Sequence, residues 1–180
     1  MRQVVLVALT VFYPLVVYFG LGHFEPRWLA FLLLALALVR LRASRQPIWW
    51  AAAGVAGVLA LSTFLANATL PLKLYPVVVN AAMLALFGAS LAHPPSAVER
   101  LARMTRPDLP PAGVAYTRKV TWVWCGFFVL NGAVAAATAL WSSDAGWALY
   151  NGLLAYVLMG LLFAAEWVVR QRVMLRSAHV

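Results

Sequence analysis

Apolar side chains arrive in this chain in blocks long enough to cross a lipid bilayer, and this constrains the fold more than any motif does. Stretches 4–22, 49–66, 72–92, 121–141 and 147–170 each hold at least 18 residues. A helix rising about 1.5 Å per residue needs about 20 residues to cross ~30 Å of hydrocarbon. A sixth stretch, 28–39, is shorter, and would thin the bilayer or shelter among its neighbours. The blocks leave little between them. Hydrophobic residues make up 64% of the 180 and charged residues 11%, against about half and a quarter in soluble domains. A soluble fold of this size could not hide so much apolar surface. The expectation is an all-α polytopic integral membrane protein, a six-helix transmembrane bundle forming a single membrane domain over residues 1–180. The single Cys excludes a disulfide scaffold.

The net charge of +9 would suggest nucleic acid in a soluble protein. Here its distribution argues for lipid instead. With six crossings and a cytoplasmic N-terminus, the inner segments hold Arg2; Arg40, Arg42 and Arg45; Arg100, Arg103, Arg106, Arg118 and Lys119; and Arg170, Arg172 and Arg176. That is 12 of the 14 Lys and Arg, leaving Arg27 and Lys73 outside, the asymmetry the positive-inside rule selects. The expected placement is therefore a bacterial inner membrane with both termini cytoplasmic and anionic lipid at that face. A five-span arrangement, with the first stretch re-entrant or peripheral, keeps the split for everything after Arg27. The first stretch lacks a small-x-small cleavage site and is read as retained; Pro14 in its middle predicts a kink. The eight tryptophans, 28, 49, 50, 122, 124, 141, 147 and 167, all fall at or near span ends, where indoles favour the headgroup level. They read as belt residues.

The longest polar connection, 93–120, carries internal structure. Ser96-Ala97-Val98-Glu99 follows two prolines and matches a capping box. Over 97–104, Val98, Leu101 and Met104 share a face from which Arg100 and Arg103 turn away, predicting a short amphipathic helix in the cytoplasmic interface. Pro107 to Gly113 predicts a stiff extended return to the fifth span.

Polar residues inside the spans are the natural candidates for function. Asn80 and Asn131 lie at similar mid-membrane depth in consecutive antiparallel spans and are expected to touch, or share a water, as interhelical glue. Lys73 stands two turns before Asn80, within snorkelling reach of the outer surface. Glu166 is the one carboxylate within a span, with Arg170 at i+4 to pair it; proton or cation handling is the functional alternative. Asn151 reads as a headgroup-level residue and Cys125 as a small hydrophobe. His23, His93 and His179 form no metal-ligand spacing. Asn67-Ala68-Thr69 matches a glycosylation sequon, a motif that recurs by chance. Gly54, Gly57, Gly132, Ala136, Gly152 and Gly160 would let helices approach closely. The chain contains no phosphate loop, nucleophile elbow, HExxH, paired carboxylate or nucleotide fingerprint, so no catalytic residue, cofactor or metal is expected.

Several strings carry a family resemblance. Phe12-Tyr13-Pro14-Leu15-Val16-Val17-Tyr18-Phe19 resembles the opening of the bacterial septation protein A (YciB) family. Lys73-Leu74-Tyr75-Pro76 is similar to that family's basic approach to the equivalent helix. Pro94-Pro95, Glu99-Arg100-Leu101, Leu109-Pro110 and Thr121 to Gly132 follow its order of loop, proline and Trp-x-x-Phe-Phe helix. Tyr116 or Thr117 stands where the family usually has Trp, and Thr121 where it usually has Asn, so the chain resembles a divergent relative. The resemblance implies a non-enzymatic inner-membrane protein of cell-envelope maintenance and septation, acting through contacts with envelope or division membrane proteins. Similar small membrane proteins accompany acyl-ligase and acyl-carrier genes of the aryl-polyene type. An accessory role in lipid or polyene biosynthesis or export is thus the alternative, with a small transporter behind it.

Overall fold

The computed structural model describes residues 69–177 continuously and, before them, positions 35, 54, 57–63 and 65. The expected span 4–22, all of 28–39 but position 35, the Pro14 kink, Trp28, Trp49, Trp50, Asn67 of the sequon, His23 and His179 lie outside the described residues, as does half of 49–66. The described chain is helical without a strand. In order it runs α1 (Leu70–Lys73), α2 (Tyr75–Ala92), α3 (Ala97–Thr105), α4 (Pro111–Trp141), α5 (Asp144–Leu149), a π-helical turn (Tyr150–Leu154) and α6 (Ala155–Ser177).

Three stretches, Leu70–Ala92, Pro111–Trp141 and Asp144–Arg172, are long and apolar enough to cross a membrane. They correspond to the fourth, fifth and sixth expected spans, with shifted boundaries. The first is two helices in line, separated by a turn at Leu74. Pro76 has no N–H to continue the ladder, and the Leu74 N–H is shared between the carbonyls of Leu70 and Pro71. The second begins ten residues before the expected Thr121. Pro107 to Gly113 is extended only as far as Pro110; Pro111 opens α4 at a position where its missing N–H costs nothing. Leu109 folds back over Gly113, where a side chain would collide with it. The third starts at Asp144, capped by Ser143, whose Oγ accepts the Gly146 N–H, with the Asp144 charge in the first turn favouring the helix dipole.

The helices are held by an aromatic cluster on one flank of α4. Val120, Trp124 and Phe128 are buried there, packed by Met83, Leu84 and Phe87 of α2 and by Met159 and Leu162 of α6. Trp124 is the hub, with ring centroids 4.5 Å from Phe163 and 5.7–6.4 Å from Phe87, Phe127 and Phe128, within the range where tilted aromatic pairs attract. This corrects the belt assignment. Trp124 and Trp147 are core residues, whereas Trp122, Trp141 and Trp167 are exposed as belt residues would be. Helical phase separates Trp122 from Trp124: they are 200° apart around one helix.

The loop helix α3 forms as expected, but its N-terminus is closed differently. The Ser96 hydroxyl makes no capping hydrogen bond and is buried without a partner. Instead Ser90 Oγ of α2 accepts the Ala97 N–H (2.8 Å) and Thr121 Oγ1 of α4 accepts the Val98 N–H (3.4 Å). Tertiary hydroxyls thus take the place of the local box. Glu99, freed from that role, is buried and paired with Arg103 at 2.8 Å. The expected apolar face divides: Val98 packs on the aromatic cluster, while Leu101 and Met104 are exposed.

Candidate functional site

The intramembrane polar side chains of the described region form a seam where α2, α4 and the π turn meet. Asn131 Nδ2 donates to Asn80 Oδ1 at 3.0 Å, and both residues are buried. Two further bonds orient the pair. Asn80 Nδ2 donates to the Pro76 carbonyl (2.8 Å), and Tyr150 OH donates to Asn131 Oδ1 (2.9 Å). The result is a directional chain from Tyr150 to Asn131 to Asn80 to backbone, spanning three elements. Without water in hydrocarbon, each of these groups needs a protein partner. α2 and α4 come close beside it: a Cβ on Gly132 would sit 3.1 Å from Asn80 Cβ. Of the small residues named from sequence, Gly54, Gly57 and Gly160 face open space, and Gly132 permits the contact.

Two turns along α4 from Asn131, Thr138 extends the seam. Its Oγ1 accepts a hydrogen bond from Asn151 Nδ2 (3.1 Å), which also reaches the Trp147 carbonyl (2.9 Å). Asn151 is therefore buried in the helix contact. The π turn is the reason that two consecutive residues serve one seam. A regular α-helix sets neighbours about 100° apart; the wider π turn narrows that angle, so Tyr150 and Asn151 both reach α4.

Where α1 meets the start of α5, Lys73 is buried. Its Nζ pairs with Asp144 Oδ1, and its carbonyl accepts the indole N–H of the fully buried Trp147 at 3.1 Å. Lys73 and Asn80 belong to one helix line, but each is bound separately. At the opposite end Arg170 Nε stands 3.8 Å from Glu166 Oε1, a loose i+4 pair. Tyr116 OH of α4 reaches the same carboxylate oxygen (3.4 Å) and the Glu166 carbonyl (3.3 Å). The five residues singled out from sequence thus fall into three separate places: Asn80 with Asn131, Lys73 with Asp144, and Glu166 with Arg170. Cys125 is buried and His93 is exposed. Sequence reasoning missed Asp144, Trp147, Tyr150, Thr138 and Tyr116, because hydroxyl, indole and loop residues look unexceptional until a partner helix is placed.

Comparison with protein-family models, curated proteins and solved structures finds no match to this chain. The likeness to the septation protein A family rests on the quoted strings alone.

The pairing has a measurable signature. Asn80→Leu leaves the Asn131 amide without its acceptor, and Asn131→Leu leaves both the Asn80 oxygen and the Tyr150 hydroxyl unmatched. Each should cost about 0.6–2 kcal/mol, with Asn131→Leu the larger and the double change less than the sum. Reversible unfolding of the detergent-solubilised protein would measure it, and strict additivity would refute the coupling.

Proposed function

We propose that this chain is a non-enzymatic scaffold of a bacterial inner membrane, crossing it six times with both termini cytoplasmic and serving cell-envelope biogenesis or septation. One observation carries the reading: the polar groups of the seam are committed to one another and to backbone carbonyls. Such an arrangement fixes helices against each other and leaves the membrane-facing flanks to act. Those flanks are long and apolar: Leu153, Leu154, Val157, Leu158, Leu161, Val168 and Val169 are all exposed along the π turn and α6. A scaffold acts by what it holds beside it, and this flank suits lipid and neighbouring transmembrane helices. The charge split and the resemblance to an envelope family supply the placement and the process.

The topology is tested by reporter fusions. Fusions after Arg45, Thr105 and Arg176 should read cytoplasmic, and fusions at Asn67 and Asp144 external; an external tail would refute the six-span arrangement. The partner class is tested in cells with a photo-crosslinking amino acid at Leu153, Leu161 or Val168. Division or peptidoglycan proteins among the adducts support the scaffold reading. Acyl-carrier or ligase proteins would replace it with a lipid or polyene accessory.

A further inference from the structure

We infer that α3 and the first turns of α4 form a binding surface for anionic phospholipid headgroups, with Leu101 and Met104 inserted beside it in the same leaflet. The inference rests on the membrane placement proposed above and adds which side chains meet the lipid. Five basic residues of 93–120 looked equivalent in sequence, and the structure separates them. Arg103 is held on the buried Glu99 and on the Pro107 carbonyl. Arg100 is folded back onto the carbonyls of Pro95 (2.9 Å) and His93 (3.4 Å). These two staple the loop. Arg118 and Lys119 are instead exposed on α4.

Their depth follows from helix length. α4 has 31 residues, whereas about 20 cross the hydrocarbon. Its charge-free run starts after Lys119, so Arg118 and Lys119 stand at the end of that run, where lipid phosphates lie. α3 is pinned to the same level: Thr121, which accepts the Val98 N–H, is one turn from Arg118, and Ser90, which accepts the Ala97 N–H, is in the last turn of α2. At that depth α3 turns Leu101 (63% exposed) and Met104 (81% exposed) away from the helices it packs on. Exposed apolar side chains flanked by basic ones, tied to the ends of two membrane-capable helices, match an anionic leaflet. The acids offer little opposition: Glu99 is buried on Arg103, leaving Asp108 as the exposed carboxylate of the loop.

The experiment places the full chain in nanodiscs of equal phosphatidylglycerol and phosphatidylcholine, with one lipid brominated on its acyl chains. A bimane fluorophore is carried by Met104→Cys in a Cys125→Ala background. Brominated phosphatidylglycerol should quench it more than brominated phosphatidylcholine, with local enrichment of about fivefold per basic residue engaged. Arg118→Gln with Lys119→Gln, both surface changes, should abolish that preference while either lipid still quenches. Equal quenching by the two lipids before mutation would overturn the headgroup assignment. Quenching by aqueous iodide and by neither lipid would overturn it too, indicating a surface for a soluble partner. An external reading of the Thr105 fusion would refute the topology alone, because the nanodisc measurement does not depend on which face is cytoplasmic.

Discussion

Trp147→Ala is expected to be the most damaging single change in the described region, lowering stability by about 3–5 kcal/mol, the usual cost of deleting a buried large aromatic. Trp147 has no accessible surface. It is also the donor for the Lys73 carbonyl, at the C-terminal end of α1, where the final carbonyls of a helix lack intrahelical partners. Two losses therefore coincide: packing between α5 and the first membrane-capable helix, and the hydrogen bond that satisfies that helix's break. Trp147→Phe separates them. It keeps most of the ring volume and orphans the carbonyl, for an expected cost of about 1–3 kcal/mol. Thermal unfolding in detergent, or titration with a denaturing detergent, would rank the three proteins. An alanine variant within about 0.5 kcal/mol of the parent, the range of ordinary surface changes, would show that the burial carries no weight.

Gly132→Leu is the second. A Cβ at this position meets Asn80 Cβ at 3.1 Å, so even alanine requires a shift of a few tenths of an ångström. Leucine wedges α2 from α4 directly beside the amide pair. Overpacking of about 1–3 kcal/mol adds to the loss of an interhelical hydrogen bond worth about 0.6–2 kcal/mol, giving roughly 2–5 kcal/mol in all. Gly160→Leu is the matched control, since Gly160 has open space where its Cβ would be and the same substitution there should be close to neutral. Equal effects at the two glycines would mean that helix propensity, and not close approach, governs both.

Seen against these contacts, the sequence was most informative where a property belongs to one segment. Apolar runs longer than a bilayer is thick mark Leu70–Ala92, Pro111–Trp141 and Asp144–Arg172 as membrane-capable whatever they pack against, because hydrocarbon requires a helix to satisfy its own backbone. The depth match of Asn80 and Asn131 was legible too, since counting residues gives depth. Local rules failed where a tertiary group could do the same work. Ser96 and Glu99 have the spacing of a capping box, yet the hydroxyls of Ser90 and Thr121 occupy the N–H groups nearby, and Glu99 turns to Arg103. Pro111 looked like a barrier to helix and became its first residue, because a proline at N1 removes only a donor with no acceptor to meet.

What only the tertiary structure decided is direction around each helix. Hydropathy says that a residue is in the membrane; it does not say whether it faces lipid or protein. Trp122 and Trp124 share a depth and differ in fate, one exposed and one the centre of an aromatic cluster. By position alone Lys73 is a basic residue near a span end, but Asp144, 71 residues later, offers it a carboxylate. Tyr150 and Asn151 serve one seam because a π turn alters the phase between them. Length and polarity are sums along a segment and can be read from it alone. Facing depends on where the neighbouring helix stands, and that position is fixed by contacts between residues far apart in sequence.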